Sequence, residues 1–230
     1  MNSVNRPGSE SRPYQTTDEG TGTAQSTGPG VADRLLSTAS ALFYREGIHA
    51  VGIQRVIEEA GVARASLYAH YKSKDDLVAA YLRQRSATIR TTIDAELAAI
   101  AEPTQRILHL FDRNVALVDS GDFRGCPFQN AQSELSCPTH PARAVLADHK
   151  AWMHALFTRL VLTAGIQKTE PLAGALLALL TGASALAHAE QSVEAVHDAR
   201  WAAAQLLEAA HAADPASTSS KERRPARAGR

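Results

Sequence analysis

The sequence has few of the residues that usually mark a disulfide scaffold, a zinc protein or a thiol enzyme. It contains only two cysteines, Cys126 and Cys137, which are too few for a disulfide framework. The histidines are scattered and form no HxxxH pair, and no CxxC pair is present. We therefore predict no metal site and no cofactor. The formal net charge is zero, so the overall charge identifies no partner.

The sequence also lacks an apolar N-terminal segment that would predict secretion. Its longest stretch without a formal charge, residues 171–189, approaches the length of a membrane span. Glycines, Thr181, Ser184 and His188 interrupt this stretch. We therefore predict a buried helix at a subunit interface, no membrane partner and a cytoplasmic location.

Acidic residues are absent from one short basic segment, residues 64–74. Just upstream, Val56 and Ile57 place apolar groups on one face of a helix. Gly61 is expected to end that helix, because glycine accepts the left-handed conformation found after many helices. A second helix is expected over residues 64–71. Two short helices joined by a glycine turn predict a helix-turn-helix, and an acid-free second helix suits a groove lined with phosphates.

This helix-turn-helix segment, residues 52–74, also carries a family resemblance. The sequences AGV at 60–62, LYAHY at 67–71 and SKDDL at 73–77 resemble the DNA-binding signature of TetR-family transcriptional regulators. The resemblance is specific, because several spaced elements agree in order. It implies an all-α homodimer with an N-terminal helix-turn-helix DNA-binding domain. It also implies a larger C-terminal helical domain that binds a small effector and dimerises.

The resemblance implies a division of roles within the segment. Gln54, Arg64 and Ser66 occupy positions that reach base edges, and Ala65 a position for apolar contact. This division fits the chemistry, because arginine offers a fork to guanine and glutamine can pair with adenine. Positions that hold phosphates carry Arg55, Tyr68, His70, Tyr71, Lys72 and Lys74. Alternatively, some of the aromatic residues at 68, 70 and 71 pack beneath the segment, Tyr71 first among them. Gly52 and Ala63 stand where hydroxyl residues are common in the family, which removes two hydroxyls that could touch a phosphate.

The chain divides into four parts by composition and pattern. Residues 1–30 are rich in Gly, Ser, Thr and Pro and are predicted to be a disordered tail. Residues 31–90 form the predicted DNA-binding domain, residues 91–213 the helical effector-binding and dimerisation domain, and residues 214–230 a disordered basic tail. Outside the helix-turn-helix segment, helices are predicted at 31–46, 73–101, 104–119, 127–136, 141–164, 171–190 and 193–213.

Two further sets of residues are predicted in the C-terminal domain. An effector pocket is predicted from bulky apolar residues with a few polar groups, and plain core packing is the alternative for each. Its predicted residues are Phe111, Val115, Cys126, Phe128, Asn130, Trp152 and Leu156. The Leu- and Ala-rich last two helices predict an isologous four-helix contact in the homodimer. Its predicted residues are Leu172, Leu176, Leu179, Leu180, Leu206 and Leu207.

Cys126 has two possible roles. The order Gly125-Cys126-Pro127 places it at a helix N-cap, where the partial positive charge lowers a thiol pKa. An exposed thiol there would be a covalent sensor of electrophiles or oxidants, whereas a buried thiol would be a small packing group. We favour burial, the common fate of a free cysteine.

The sequence therefore predicts a DNA-binding transcriptional regulator. In this interpretation a homodimeric repressor binds a palindromic operator in double-stranded DNA and is released by a small-molecule effector. One alternative is a regulator switched by modification of Cys126. A more remote alternative is a thiol enzyme with a vestigial DNA-binding motif. No nucleophile, base and orienting group can be assembled from the sequence, so no catalytic residue is predicted.

Overall fold

The computed structural model of the protein describes residues 30–167 and 169–213. Within these ranges the chain is all-α, with nine helices and no strand. The predicted tails fall almost wholly on residues 1–29 and 214–230, which lie outside the described residues. The helices are α1 Val31–Glu46, α2 Ile53–Ala60, α3 Arg64–His70, α4 Lys74–Ala98, α5 Pro103–Asp119, α6 Pro127–Glu134, α7 Ala142–Thr163, α8 Thr169–Glu190 and α9 Glu194–Ala212.

Local signals account for the helix-turn-helix. Gly61 adopts the left-handed conformation (φ 61°, ψ 41°) directly after α2, and the backbone N–H of Val62 donates to the carbonyl of Ile57 at 3.2 Å. This hydrogen bond closes the end of α2. The α4 helix begins after Ser73, whose hydroxyl accepts a hydrogen bond from the N–H of Asp76 at 3.1 Å. The acidic residues of its first turn complement the helix dipole.

The long helix α4 joins the helix-turn-helix to the rest of the protein. It ends at Ala98, three residues before the predicted end. Glu102 is the N-cap of α5 and accepts hydrogen bonds from the N–H groups of Thr104 and Gln105, with Pro103 at the first helical position. The predicted boundary at residue 90 falls inside α4, and the division of the chain into two domains there stays a prediction.

Buried side chains form two hydrophobic cores. Core 1 packs α1 to α4 around residues such as Leu35, Leu67 and Tyr81. It also contains side chains from the second half of the chain, which are Phe128, Ala131, Leu135, Ala142 and Leu146. Core 2 packs the second half of α4 with α5, α7, α8 and α9. The helix-turn-helix therefore shares its core with α6 and the start of α7.

The last two helices leave fewer of the predicted interface leucines on the surface than the sequence pattern suggests. Leu172, Leu176 and Leu207 lie in core 2 of a single protomer, while Leu179 and Leu180 are half-buried. Only Leu206 is exposed. The reason is that α8 is apolar on nearly every side, so its sequence pattern does not separate the core face from the outer face.

The outer faces of α8 and α9 carry small and apolar residues. On α8 they are Ala178, Gly182, Ala185, Leu186 and Ala189. On α9 the large exposed apolar side chains are Trp201, with 67% of its surface accessible, and Leu206. Helix α8 is long and apolar enough to cross a membrane by length and composition, and only 28% of its most apolar stretch is buried. One such helix is weak grounds for a membrane protein, and the uncovered face equally suits a helix–helix contact.

Candidate nucleic-acid interface and ligand cavity

Helix α3 presents an exposed, acid-free face. Arg64, Ala65 and His70 are exposed, and Tyr68 is 45% exposed. Its buried anchor is Leu67, which is fully enclosed in core 1. The guanidinium of Arg64 lies 5.9 Å from the centre of the Tyr68 ring. In the part of the chain that the structure describes, Arg64 and Lys72 form no ion pair with a carboxylate, so both side chains are available to an external anion.

Two residues that precede α3 are engaged within the protein instead. Gln54 donates from Nε2 to Glu58 at 2.9 Å. Arg55 pairs with Glu59 at 2.8 Å and with Glu46. The hydrogen bonds from Arg55 and then Arg45 lower the pKa of Glu46 to about 2. A DNA contact by Gln54 or Arg55 would have to share or replace these bonds.

The aromatic and basic residues at the end of α3 differ in exposure. Tyr71 is half-buried against core 1, and burial raises its pKa. Lys72 is exposed, whereas Lys74 is partly covered and its Nζ lies 6.0 Å from the centre of the Phe43 ring. Burial lowers the pKa of Lys74. Ser66 is half-buried. Because Lys74 is partly covered, Arg64 and Lys72 are the most accessible cations of the segment.

Neither α2 nor α3 has a side-chain N-cap. Their N-cap residues are Gly52 and Ala63, which make no side-chain hydrogen bond. The backbone N–H groups of a first helical turn have no partner within the helix. Uncapped N-termini of this kind present N–H donors and a partial positive charge to an anion such as a phosphate.

A cavity of about 1040 Å³ lies between α1, the second half of α4 and the helices α5 to α8. Residues from α1, α4, α5, α6, α7 and α8 line it. Its apolar lining includes Ile89, Ile93, Leu110, Phe128, Met153 and Leu180. Its polar lining includes Tyr44, Arg85, Arg113, Asn114, His149 and Ser184. The volume is large enough for an organic molecule of drug size.

The residues predicted for an effector pocket lie in several places. Cys126 and Phe128 line the cavity. Phe111 and Leu156 are fully buried in core 2, and Val115 and Trp152 pack against that core. Asn130 lies in a smaller neighbouring cavity of about 300 Å³. Sequence reasoning missed Tyr44 and Arg85, although Arg85, Ile89 and Ile93 recur every four residues along α4 and so share one face.

Cys126 occupies the predicted N-cap of α6, and its thiol has the properties expected of the buried alternative rather than of an exposed sensor. It is half-buried and makes no capping hydrogen bond. Burial raises the pKa of Cys126, and this desolvation outweighs the helix dipole. Cys137 is exposed, and its hydrogen bond with Thr139 at 3.3 Å lowers its pKa. The structure therefore does not favour Cys126 as a covalent sensor.

We expect Cys137 to be alkylated at least about tenfold faster than Cys126 by iodoacetamide at pH 7.5, because the thiolate is the nucleophile and Cys137 is the more exposed and more acidic thiol. Peptide mass spectrometry at timed intervals measures both rates in one sample. The Cys137→Ser variant is the control and should leave only the slow reaction. Faster labelling of Cys126 would contradict the order that burial predicts.

Helix α6 contacts both the cavity and the loop that precedes α2. Phe128 stacks on His149 with ring centres 3.5 Å apart and 6° between the planes. Burial, followed by the charge of Arg90, lowers the pKa of His149 to about 4, so the ring is neutral at neutral pH. At the other end of α6, Glu134 accepts a hydrogen bond from the backbone N–H of His49 at 2.7 Å. His49 lies in the loop between α1 and α2.

A second contact joins the loop before α6 to α1. The hydroxyl of Tyr44 donates to the carbonyl of Gly125 at 3.1 Å and accepts from the N–H of Arg124 at 3.0 Å. Gly125 has a φ of 84°, and a Cβ there would lie 3.1 Å from atoms of Asn130 and His188. This loop is therefore held tightly against both α1 and α8.

Within the described residues, no group of three or more His, Cys, Asp or Glu side chains could hold a metal ion.

Comparisons with known proteins agree with this geometry. A family model described as bacterial regulatory proteins, tetR family, matches residues 35–81. The crystal structure of a TetR-family transcriptional regulator from Streptomyces coelicolor, SCO4454, is 32% identical with a TM-score of 0.74 and covers 78% of this chain and 95% of its own. A structure from Streptomyces avermitilis, assigned to the same class of regulator, is also 32% identical, with a TM-score of 0.69 and 79% and 98% coverage.

A curated relative supports the same class of protein. YxaF of Bacillus subtilis, described as an uncharacterized HTH-type transcriptional regulator, is 25% identical over 141 residues, which are 60% of this chain and 73% of the relative. The matched family model covers α2, the acid-free helix α3, and parts of α1 and α4. These relatives are described as HTH-type or TetR-family transcriptional regulators. The chain therefore belongs to the TetR family of bacterial transcriptional regulators.

Proposed function

We propose that the protein is a cytoplasmic transcriptional repressor that a small molecule releases from its operator. The observation that carries this proposal is the position of α6. This helix forms part of the cavity wall through Phe128 and Gln129 and belongs to core 1 through Phe128 and Ala131. A ligand that moves α6 must also act on the packing of the DNA-binding part.

DNA recognition is assigned to two copies of α3 in a homodimer. Arg64, Ala65 and Ser66 are placed at base edges, and Tyr68, His70 and Lys72 at phosphates. Two recognition helices related by a two-fold axis read a palindromic operator when their spacing matches one turn of the duplex. Gln54, Arg55, Tyr71 and Lys74 are assigned supporting contacts, because each is already paired or partly covered within the protomer.

The dimer contact is assigned to the outer faces of α8 and α9. Small residues such as Gly182 and Ala185 let two helices approach closely, and Leu186 and Trp201 supply apolar area. An isologous contact brings each of these faces against its own symmetry mate. Leu180 lines the cavity, so it is better placed to sense a ligand than to form the interface.

Release requires that the ligand bind more tightly to the DNA-free conformation. The cavity is in direct contact with Tyr44 of α1 and with the first turn of α6. Hydrogen bonds from Tyr44 to Gly125 and from His49 to Glu134 fix α1 and the following loop to α6. A ligand that displaces α6 would strain both bonds and change the angle at which α3 is presented.

A reporter experiment tests the sign of regulation. An operator is selected from random DNA with the purified full-length protein and is placed across a reporter promoter. Repression predicts lower expression with the wild-type chain and restored expression with a variant that cannot bind DNA. Higher expression with the wild-type chain would make the protein an activator and overturn the proposal.

A further inference from the structure

The cavity has an unequal distribution of charge. Five basic side chains line it, namely Arg45, Arg85, Arg113, Arg124 and Lys150, against one acidic side chain, Asp122. Arg45 pairs with Glu46 at 2.7 Å, and Arg113 lies 3.3 Å from Glu96. Those two arginines therefore have their own counter-ions outside the cavity. Arg124 and Lys150 are exposed, so water screens both charges.

Arg85 differs from the other four cations. It pairs with no carboxylate among the described residues, and its Nε is shielded from solvent without a hydrogen-bond partner. Its guanidinium lies 4.8 Å from the centre of the Tyr44 ring and makes a side-chain hydrogen bond with Tyr81, which leaves Nε without an acceptor. Burial raises the pKa of Tyr81 to about 12, so the Tyr81 hydroxyl supplies no negative charge at neutral pH.

A partly buried arginine without a counter-ion destabilises the folded state, because no opposite charge compensates for the loss of its hydration. A bound anion would supply that charge and the missing hydrogen-bond acceptor. The first turn of α6 lines the same cavity, and its partial positive charge favours an anion there as well. The rest of the wall is largely apolar, with Ile89, Leu110 and Met153 among its residues.

We propose that the cavity binds an amphipathic organic anion whose acidic group pairs with Arg85 and whose apolar body packs against α4, α5 and α7. This inference rests on the proposed function, because it names the chemical class of the effector for the same cavity. Arg85 selects for the negative head group, and the apolar wall selects for a hydrocarbon or aromatic body. An uncharged or cationic molecule of the same shape leaves the guanidinium unpaired and binds more weakly.

Three probes with one hydrocarbon tail and different head groups test this inference. Decanoate, 1-decanol and decyltrimethylammonium, each below its micellar concentration, compete with the uncharged fluorescent dye N-phenyl-1-naphthylamine for the full-length protein. Decanoate should displace the dye at a concentration at least about tenfold lower than decanol. The cation should be the weakest. Equal displacement by decanoate and decanol, or stronger displacement by the cation, would overturn the inference, as would failure of all three to displace the dye.

Substitutions in α4 test whether Arg85 causes the preference for decanoate over decanol. Arg85→Gln should bring the decanoate and decanol values together, and Arg85→Lys should keep part of the difference because it retains a charge without the fork. Arg83→Gln is the matched control, since Arg83 is exposed two residues away and does not line the cavity; it should behave as wild type. If Arg85→Gln keeps the full preference for decanoate, Arg85 is not the anchor. Should Arg85→Gln not fold, Arg85→Lys and the wild-type order of the probes still decide.

Operator binding measured in parallel separates this inference from the proposed function. Preferential binding of decanoate without any release of DNA would support the anionic class and refute ligand-controlled release. Release by decanoate and decanol at equal concentrations would support ligand-controlled release and refute the anionic class.

Discussion

Replacing Leu186 with glutamate is expected to produce monomers and to lower operator affinity by at least about 100-fold. Leu186 is 51% exposed on the outer face of α8, where its symmetry mate would lie close by, so two carboxylates would be forced together in an apolar contact. Each monomer then binds one half-site and loses the high effective concentration that the second recognition helix supplies. Analytical ultracentrifugation and fluorescence anisotropy with the selected operator measure the two effects.

The control for this experiment is Leu162→Glu. Leu162 is 58% exposed near the end of α7, outside α8 and α9, so the same change in charge and polarity should leave the dimer intact. A Leu186→Glu protein that sediments as a dimer and keeps its operator affinity would refute the assigned interface. A change at Leu180 would not test the interface alone, because Leu180 lines the cavity.

Replacing Ala65 with glutamate is expected to weaken operator binding strongly while leaving the fold at least as stable as before. Ala65 is exposed in the first turn of α3, so a carboxylate there would face the DNA phosphates. The repulsion of two unit charges at 4 Å is about 1 kcal/mol in water and about 4 kcal/mol near a protein surface. Because the dimer carries the change twice, we expect a loss of at least about 100-fold.

The same substitution should lower operator affinity but should not lower the free energy of unfolding. An acid in the first turn of a helix is favoured by the helix dipole, by about 0.3–1 kcal/mol. Urea denaturation of wild type and variant should therefore show an equal or higher free energy of unfolding. Ala65→Gln is the control for size without charge and should keep most of the affinity. Retained operator binding by Ala65→Glu would place α3 away from the DNA.

The helix boundaries were predictable because local chemistry sets them. Gly61 after α2, Ser73 before α4 and Pro103 at the start of α5 each act through their own backbone or side chain. The acid-free face of α3 was visible for the same reason, since it is a property of a short run of sequence. These features depend on neighbours a few residues away, which a single sequence contains.

The cavity and the outer faces of α8 and α9 depend on tertiary packing, so the sequence alone does not assign residues to them. A cavity is space left between helices that are distant in sequence, so Phe111 looked as suitable as Phe128 although only Phe128 lines it. The N-cap position of Cys126 is local information, whereas the burial that raises its pKa is not, so the sequence alone left both of its roles open. On α8, the uniformly apolar sequence concealed which leucines face core 2.

The sharing of core 1 limits how DNA-binding and sensing segments can be exchanged between relatives. A graft that stops at the end of α4 would remove Phe128, Leu135 and Leu146 from contact with α1 to α4. Each buried side chain of this size contributes about 1.5–3 kcal/mol, which is a large share of the stability of a small domain. A working chimera must therefore carry α6 and the start of α7 together with the helix-turn-helix, although α5 separates them in sequence. Substitutions in α6 that alter ligand choice will, for the same reason, also change the stability of the DNA-binding part.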